Sequence, residues 1–120
     1  MDVKWSAFRR LTMDNIMFHS PRDPGVYLLW AKLQYGAWRC CYAGQADNLR
    51  QQLFAHCDES EPCQCLKDMI RDHVVSYEYA PVKSKTDRDS IQKYLYDHFH
   101  PACNETDPGG VPLPVNLPLD

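Results

Sequence analysis

Two short runs of apolar and aromatic residues, 26–30 and 38–42, flank a polar stretch that contains Gly36. Each run has the length and composition of a β-strand, and a connection that contains a glycine favours a β-hairpin. After Gly44 the apolar residues instead recur at helical spacing, over 49–57. The chain is therefore predicted to form an antiparallel hairpin followed by a helix.

Helical spacing and strand alternation of the apolar residues predict three further elements downstream. Apolar spacing over 65–70 indicates a short helix, and alternation over 75–79 indicates a third strand that Pro81 stops. An apolar stripe over 91–99 indicates a last helix, which Pro101 ends. The predicted fold class is α+β, with a small, mostly antiparallel three-stranded sheet flanked by helices.

Charge and hydropathy exclude several classes of protein. The 120 residues include 13 Lys and Arg against 16 Asp and Glu, a formal net charge of −3. This balance lacks the bulk positive field of many nucleic-acid-binding proteins, so any nucleic-acid contact must be local. No apolar run approaches the roughly 18 residues of a membrane span, and no secretory signal pattern is present. We expect a cytoplasmic protein that makes no membrane contact.

The six cysteines are interpreted as thiols, because the chain carries no secretory signal. Cys57, Cys63 and Cys65 lie near His56 in the sequence. A Cys-x-Cys spacing is not the pair separated by two residues that structural zinc sites favour. Zinc is therefore not expected.

Five short motifs follow one another in a fixed order along the predicted hairpin, helices and strand. They are Gly25-Val26-Tyr27, Tyr42-Ala43-Gly44, the helical positions Leu49, Leu53 and His56, the run Arg88-Asp89-Ser90-Ile91-Gln92, and the ending Pro101-Ala102-Cys103-Asn104. This ordered set resembles the GIY-YIG nuclease superfamily, and it spans residues 25 to 104.

The resemblance implies hydrolysis of a nucleic-acid phosphodiester with one divalent metal ion, usually magnesium. Tyr27 and Tyr42 match the tyrosines that position or deprotonate the attacking water, and His56 matches the motif histidine. Asn104 matches the closing asparagine, whose role is mainly structural. The candidate substrate contacts are Gly44, Asn48, Arg88 and Asn104.

Two positions depart from the family pattern. Gln52 stands where the pattern places the arginine that steadies the phosphate, and Gln92 stands where it places the glutamate that binds the metal. A neutral amide oxygen is a poorer ligand than a carboxylate for a hard divalent cation. Arginines in comparable phosphoryl-transfer roles contribute about 10³ to 10⁵ in rate. We therefore expect weak metal binding and impaired or absent catalysis.

Three neighbouring side chains are candidates to replace the lost charges. Arg50 lies about 200° around the helix from Gln52 and is expected to point away from the site. Asp89 shares a helix side with Gln92 and is a candidate substitute metal ligand, although capping the first turn is its competing role. Arg88 is a candidate phosphate contact; the alternative is an arginine paired with Asp89 or with solvent.

Three functional hypotheses follow. The first is a GIY-YIG-like domain, catalytically impaired or inactive, that binds nucleic acid, DNA in preference to RNA. The second is an active metal-dependent endonuclease that uses Asp89. The third is a protein-interaction domain without nucleic-acid contact, which the net charge favours. A homodimer or a protein partner is a further expectation.

The predicted organisation has three parts. Residues 1–24 form an N-terminal helical extension, and residues 25–104 form the GIY-YIG-like domain. Residues 105–120 form a proline-rich tail that docks on the same domain through Val111, Leu113 and Val115.

Overall fold

The computed structural model describes residues 1–118 and has the predicted α+β class. Its strands and helices are, in chain order, β1 (Arg9–Arg10), α1 (Met13–His19), β2 (Gly25–Lys32), β3 (Trp38–Ala46), α2 (Leu49–Cys57), α3 (Gln64–Asp72), β4 (Val75–Pro81) and α4 (Lys85–Phe99). Within residues 1–118, no helix is long and apolar enough to cross a membrane.

The sheet has four strands in the order β1-β4-β2-β3, and every pairing is antiparallel. The predicted hairpin is confirmed as β2 and β3, and the third strand as β4. The prediction of only three strands is wrong, because Arg9 and Arg10 pair with Tyr77 and Ser76 of β4. An exposed strand edge carries unpaired backbone groups, and the N-terminal segment supplies partners for them.

The sheet is covered on both faces, so β2 is buried along almost its whole length. Tyr27, Leu29 and Ala31 belong to one core cluster, which includes residues of α1, α2 and α3. Val26 and Leu28 belong to a second cluster, which includes residues of α4. This alternation follows from the period of two in a strand, since successive side chains point to opposite faces.

The C-terminal tail docks on the second cluster through two of the three residues predicted to do so. Val115 is buried there and Leu113 is partly buried. Val111 is 81% exposed, so the prediction that it docks is wrong. The side chain of Asn116 hydrogen-bonds both the N–H and the C=O of Val3, at 2.7 and 2.8 Å, which joins the tail to the N-terminal segment.

One disulfide contradicts the prediction that all six cysteines are thiols. It joins Cys65 of α3 to Cys103, in the segment that follows α4. The N–H of Cys103 donates to the carbonyl oxygen of Cys41 at 2.8 Å, along the outer edge of β3. This hydrogen bond holds Cys103 against β3, and the disulfide joins it there to α3, a proximity that a sequence separation of 38 residues does not reveal.

Candidate functional site

A surface cavity of about 410 Å³ lies where β3, the loop before α3, helix α4 and the segment after α4 meet. Three of the candidate site residues line it: Tyr42, Gln92 and Asn104. The other lining residues are Glu61, Pro62, Cys63, Cys103, Glu105, Thr106 and Pro108. The cavity therefore joins the predicted strand, helix and closing-motif positions in one place.

Tyr27, His56 and Glu61 form a buried hydrogen-bonded chain that reaches the cavity at Glu61. The Tyr27 hydroxyl lies 2.6 Å from His56 Nε2, and His56 Nδ1 lies 2.8 Å from Glu61 Oε2. All three residues are less than a tenth exposed. A carboxylate only accepts hydrogen bonds, so the imidazole proton lies on Nδ1 and Nε2 accepts from the Tyr27 O–H. Tyr27 is thus positioned to pass a proton to His56.

The environment sets the protonation state of this chain. Burial raises the pKa of Tyr27 well above its usual value, and burial followed by the charge of Glu61 raises the pKa of Tyr42. Burial lowers the pKa of His56, against the opposing effect of Glu61. At neutral pH both phenols therefore keep their protons and the imidazole is neutral. Neither tyrosine is a ready base without a proton acceptor.

Glu61 is the functional candidate that the sequence did not reveal. It stands in an acidic turn after α2, where hydrophobic periodicity carries no information. The turn folds back on the helix, since the N–H of Glu61 donates to the carbonyl oxygen of Asp58 at 3.0 Å. The available signal was a histidine on a buried helix face, which needs a hydrogen-bond partner close by.

Gly44 and Asn48 have local structural roles at the positions where substrate contacts were predicted. A Cβ on Gly44 would lie 2.4 Å from the Tyr27 ring, so the glycine makes room for that tyrosine. The Asn48 side chain accepts from the N–H of Gln51 at 3.0 Å and caps α2. Both residues therefore support the buried chain and the helix that carries His56.

The two glutamines that differ from the family pattern, Gln52 and Gln92, are hydrogen-bonded to protein groups. A hydrogen bond from Gln52 acts on Tyr27 and partly offsets the rise in its pKa. Gln92 Nε2 donates to the carbonyl oxygen of Ala43 at 3.2 Å. Both positions therefore carry neutral amides that contact protein groups, and of the two only Gln92 lines the cavity.

The implied magnesium ion does not fit the side chains at the predicted metal position. Gln92 offers an amide that already donates to Ala43, and Asp89 is paired with Lys85 and hydrogen-bonded by Gln45. Among residues 1–118, no group of three or more histidine, cysteine or acidic side chains is arranged to hold a metal. A hard divalent cation prefers carboxylate oxygens to the amide oxygen of a glutamine.

Arg88 is placed differently from either prediction. Its side chain is 3% exposed and pairs with Asp47 at 2.6 Å, not with Asp89 or solvent. Its Nη1 donates to the carbonyl oxygens of Val82 and Lys83, at 3.2 and 2.8 Å. The guanidinium thus joins α4 to the end of β3 and to the loop before α4, and it is not open to a phosphate.

The side chain of Asn104 clamps the closing segment to β3. Its Oδ1 accepts from the N–H of Ala43 and its Nδ2 donates to the carbonyl oxygen of Ala43, both at 2.9 Å. Asn104→Ala is expected to lower the free energy of unfolding by about 1 to 3 kcal/mol, because the partly buried N–H of Ala43 loses its acceptor while the carbonyl oxygen keeps only Gln92. Urea unfolding measures this loss.

Asn116→Ala is the matched control for that variant. Asn116 makes the same kind of two-way contact with Val3, but on the exposed surface, where water replaces the lost bonds. An equal decrease in the free energy of unfolding in the two variants would contradict a specific role for the Asn104 hydrogen bonds.

Comparisons of the chain with protein-family models, with curated proteins and with solved structures found no match. The motifs and their spatial arrangement are therefore the observations from which a function is argued. Those observations are the cavity, the buried chain that reaches it and the two neutral amides.

Proposed function

We propose that the chain is a GIY-YIG-type domain that binds the backbone of nucleic acid, DNA in preference to RNA, with impaired or absent hydrolytic activity. The observation that carries the proposal is the grouping of motif positions that are far apart in sequence. Tyr42, Gln92 and Asn104 line one cavity, and Tyr27 and His56 belong to the hydrogen-bonded chain that reaches it. This grouping supports the interpretation of the cavity as a substrate cleft inherited from a nuclease.

The impairment is argued from charge. Gln52 brings no positive charge to a phosphate, and Gln92 brings no carboxylate to a metal ion. The two changes remove opposite charges, so the cleft keeps its shape and its charge balance. Arginines that stabilise phosphoryl-transfer transition states contribute about 10³ to 10⁵ in rate, so the expected loss is large.

The test restores both charges. Gln52→Arg combined with Gln92→Glu is expected to raise magnesium-dependent cleavage by at least about 10³, the low end of an arginine contribution. The measurement compares this double variant with the unchanged chain on branched, single-stranded and duplex nucleic acids. Gln51→Arg combined with Gln64→Glu makes the same charge changes at exposed neighbours and is the matched control.

The cleavage rate of the unchanged chain distinguishes an impaired domain from an active nuclease. Cleavage by this chain at the rate of the double variant would contradict the proposal and favour an active endonuclease. In that case Asp89→Ala must abolish cleavage, since Asp89 is the substitute ligand that this alternative requires. Persistent cleavage after Asp89→Ala would reject the alternative as well.

A protein-interaction domain is the second candidate function. Met13, Met17 and Phe18 of α1 are each more than half exposed, which favours contact with a protein. Binding to nucleic acid releases counterions and weakens steeply as salt is added. Absence of such a slope, over the range where binding is measurable, would favour the protein partner.

A further inference from the structure

Residues 105–110, called the strap below, contribute to the wall of the candidate cleft, the cavity of about 410 Å³. Glu105, Thr106 and Pro108 line the cavity that contains Tyr42 and Gln92. Residues 108–110 line a second cavity of about 320 Å³, beside Asp89 and Gln92. The strap therefore lies beside Gln92, at the face of α4 that a bound backbone has to reach.

The strap is fixed firmly at its two ends and by one ion pair between them. Before it, Asn104 is clamped to Ala43, and after it the N–H of Leu113 donates to the carbonyl oxygen of Ser90 at 3.0 Å. Between these points, both carboxylate oxygens of Asp107 accept from Lys93 Nζ at 2.9 Å. All six strap residues are exposed, so they contribute little apolar burial.

The lysine in this ion pair belongs to the helix that carries Gln92. Lys93 is one residue further along α4, and its side chain is only 15% exposed. Asp97, one turn later, also accepts from Lys93 Nζ at 2.8 Å and keeps the lysine oriented. Asp107 is the partner that belongs to the strap. The Asp107 carboxylate is half exposed whereas Lys93 is largely buried, so this is a contact that another anion can take over.

We propose that the strap blocks the cleft in the free protein, and that a backbone phosphate replaces the Asp107 carboxylate on Lys93 when nucleic acid binds. No covalent bond forms or breaks, because one anion exchanges for another. Glu105 and Asp107 repel phosphate while the strap is in place, and its displacement removes that repulsion. The inference rests on the proposed function.

The first arm of the test opens the strap. Asp107→Asn is expected to tighten binding of a labelled oligodeoxynucleotide by about two- to fivefold, the range that corresponds to an exposed ion pair. Asp97→Asn removes the same charge from the same lysine but leaves the Asp107 contact, so its tightening is expected to be smaller. Fluorescence anisotropy with single-stranded and duplex probes measures both.

The second arm tests Lys93 as the phosphate contact. Lys93→Gln is expected to reduce the slope of log affinity against log salt by about 0.7 to 0.9, the value for one phosphate. Lys32→Gln makes the same charge change at an exposed lysine at the end of β2. An unchanged slope in Lys93→Gln, or an equal reduction in both variants, would overturn the exchange.

The outcomes separate the inference from the function on which it rests. If the unchanged chain binds and Asp107→Asn tightens binding no more than Asp97→Asn, the strap does not block the cleft and the proposed function survives. If neither the unchanged chain nor Asp107→Asn binds at low salt, both are overturned. Faster hydrogen exchange at 105–110 in Asp107→Asn, with the exchange of the sheet unchanged, shows that the variant has opened the strap and is folded.

Discussion

Gly44→Ala is expected to destabilise the protein by about 3 kcal/mol, the upper part of the range for adding atoms to a packed core. The new Cβ would lie 2.4 Å from both Cζ and the hydroxyl oxygen of Tyr27, and 2.8 Å from Cε1 of Tyr42. Tyr27 cannot swing away cheaply, because its ring is 1% exposed and His56 holds its hydroxyl. Urea unfolding of the variant measures the loss.

A double-mutant cycle tests whether the Tyr27 ring is the group that the new Cβ would clash with. In a Tyr27→Leu background the atoms nearest the new Cβ are gone, so Gly44→Ala should cost clearly less than in the unchanged chain. Gly109→Ala is a contrasting control, because a Cβ there meets open space and only the positive φ of 73° opposes it. A cost of Gly44→Ala that is independent of residue 27 would contradict the close contact as its cause.

Glu61→Ala is expected to cost about 3 kcal/mol, because it leaves two buried donors without their acceptor. Those donors are His56 Nδ1, at 2.8 Å from the carboxylate, and the N–H of Cys63, at 3.2 Å. Glu61→Gln keeps one acceptor oxygen, so one of the two donors keeps its partner and the expected loss of stability is smaller. Equal losses in the two variants, measured by urea unfolding, would show that the charge matters more than the hydrogen bonds.

The same pair of variants reports on His56 itself. Glu61 supplies the two influences that raise the pKa of His56, against the larger lowering by burial. Removing the carboxylate should therefore lower the pKa of His56 further, which a histidine NMR titration of the folded variant measures. Because the folded-state pKa lies below the ordinary 6.5, this group's contribution to stability is complete above pH 6.5 and is lost as pH falls towards the folded-state pKa.

The regular elements were predictable because their signals are local. The alternation of β4 and the helical spacing of α2, α3 and α4 each lie within a short window, and all four elements form where the patterns indicated. β1 was missed because a strand of two residues is too short to show an alternation of apolar and polar side chains. Their pairing with β4 depends on an edge that exists only after β2 and β4 have joined.

The candidate site was predictable only at its motif positions. Tyr42, Gln92 and Asn104 were named from the sequence, and they line one cavity. The partners of these motifs were not named, because each partner comes from a segment without periodicity. Glu61 reaches His56 through a turn, and Asp47 reaches Arg88 across 41 residues of chain.

The amino-acid sequence by itself determined the α+β class, the hairpin and the neutral amides at positions 52 and 92, since hydrophobic period and residue identity are properties of the chain. Tertiary structure alone decided the buried Tyr27–His56–Glu61 chain, the Cys65–Cys103 disulfide and the place of Glu105, Thr106 and Pro108 in the lining of the cavity. These contacts join segments whose separation in space is set by packing of the whole core, and no local pattern encodes that distance.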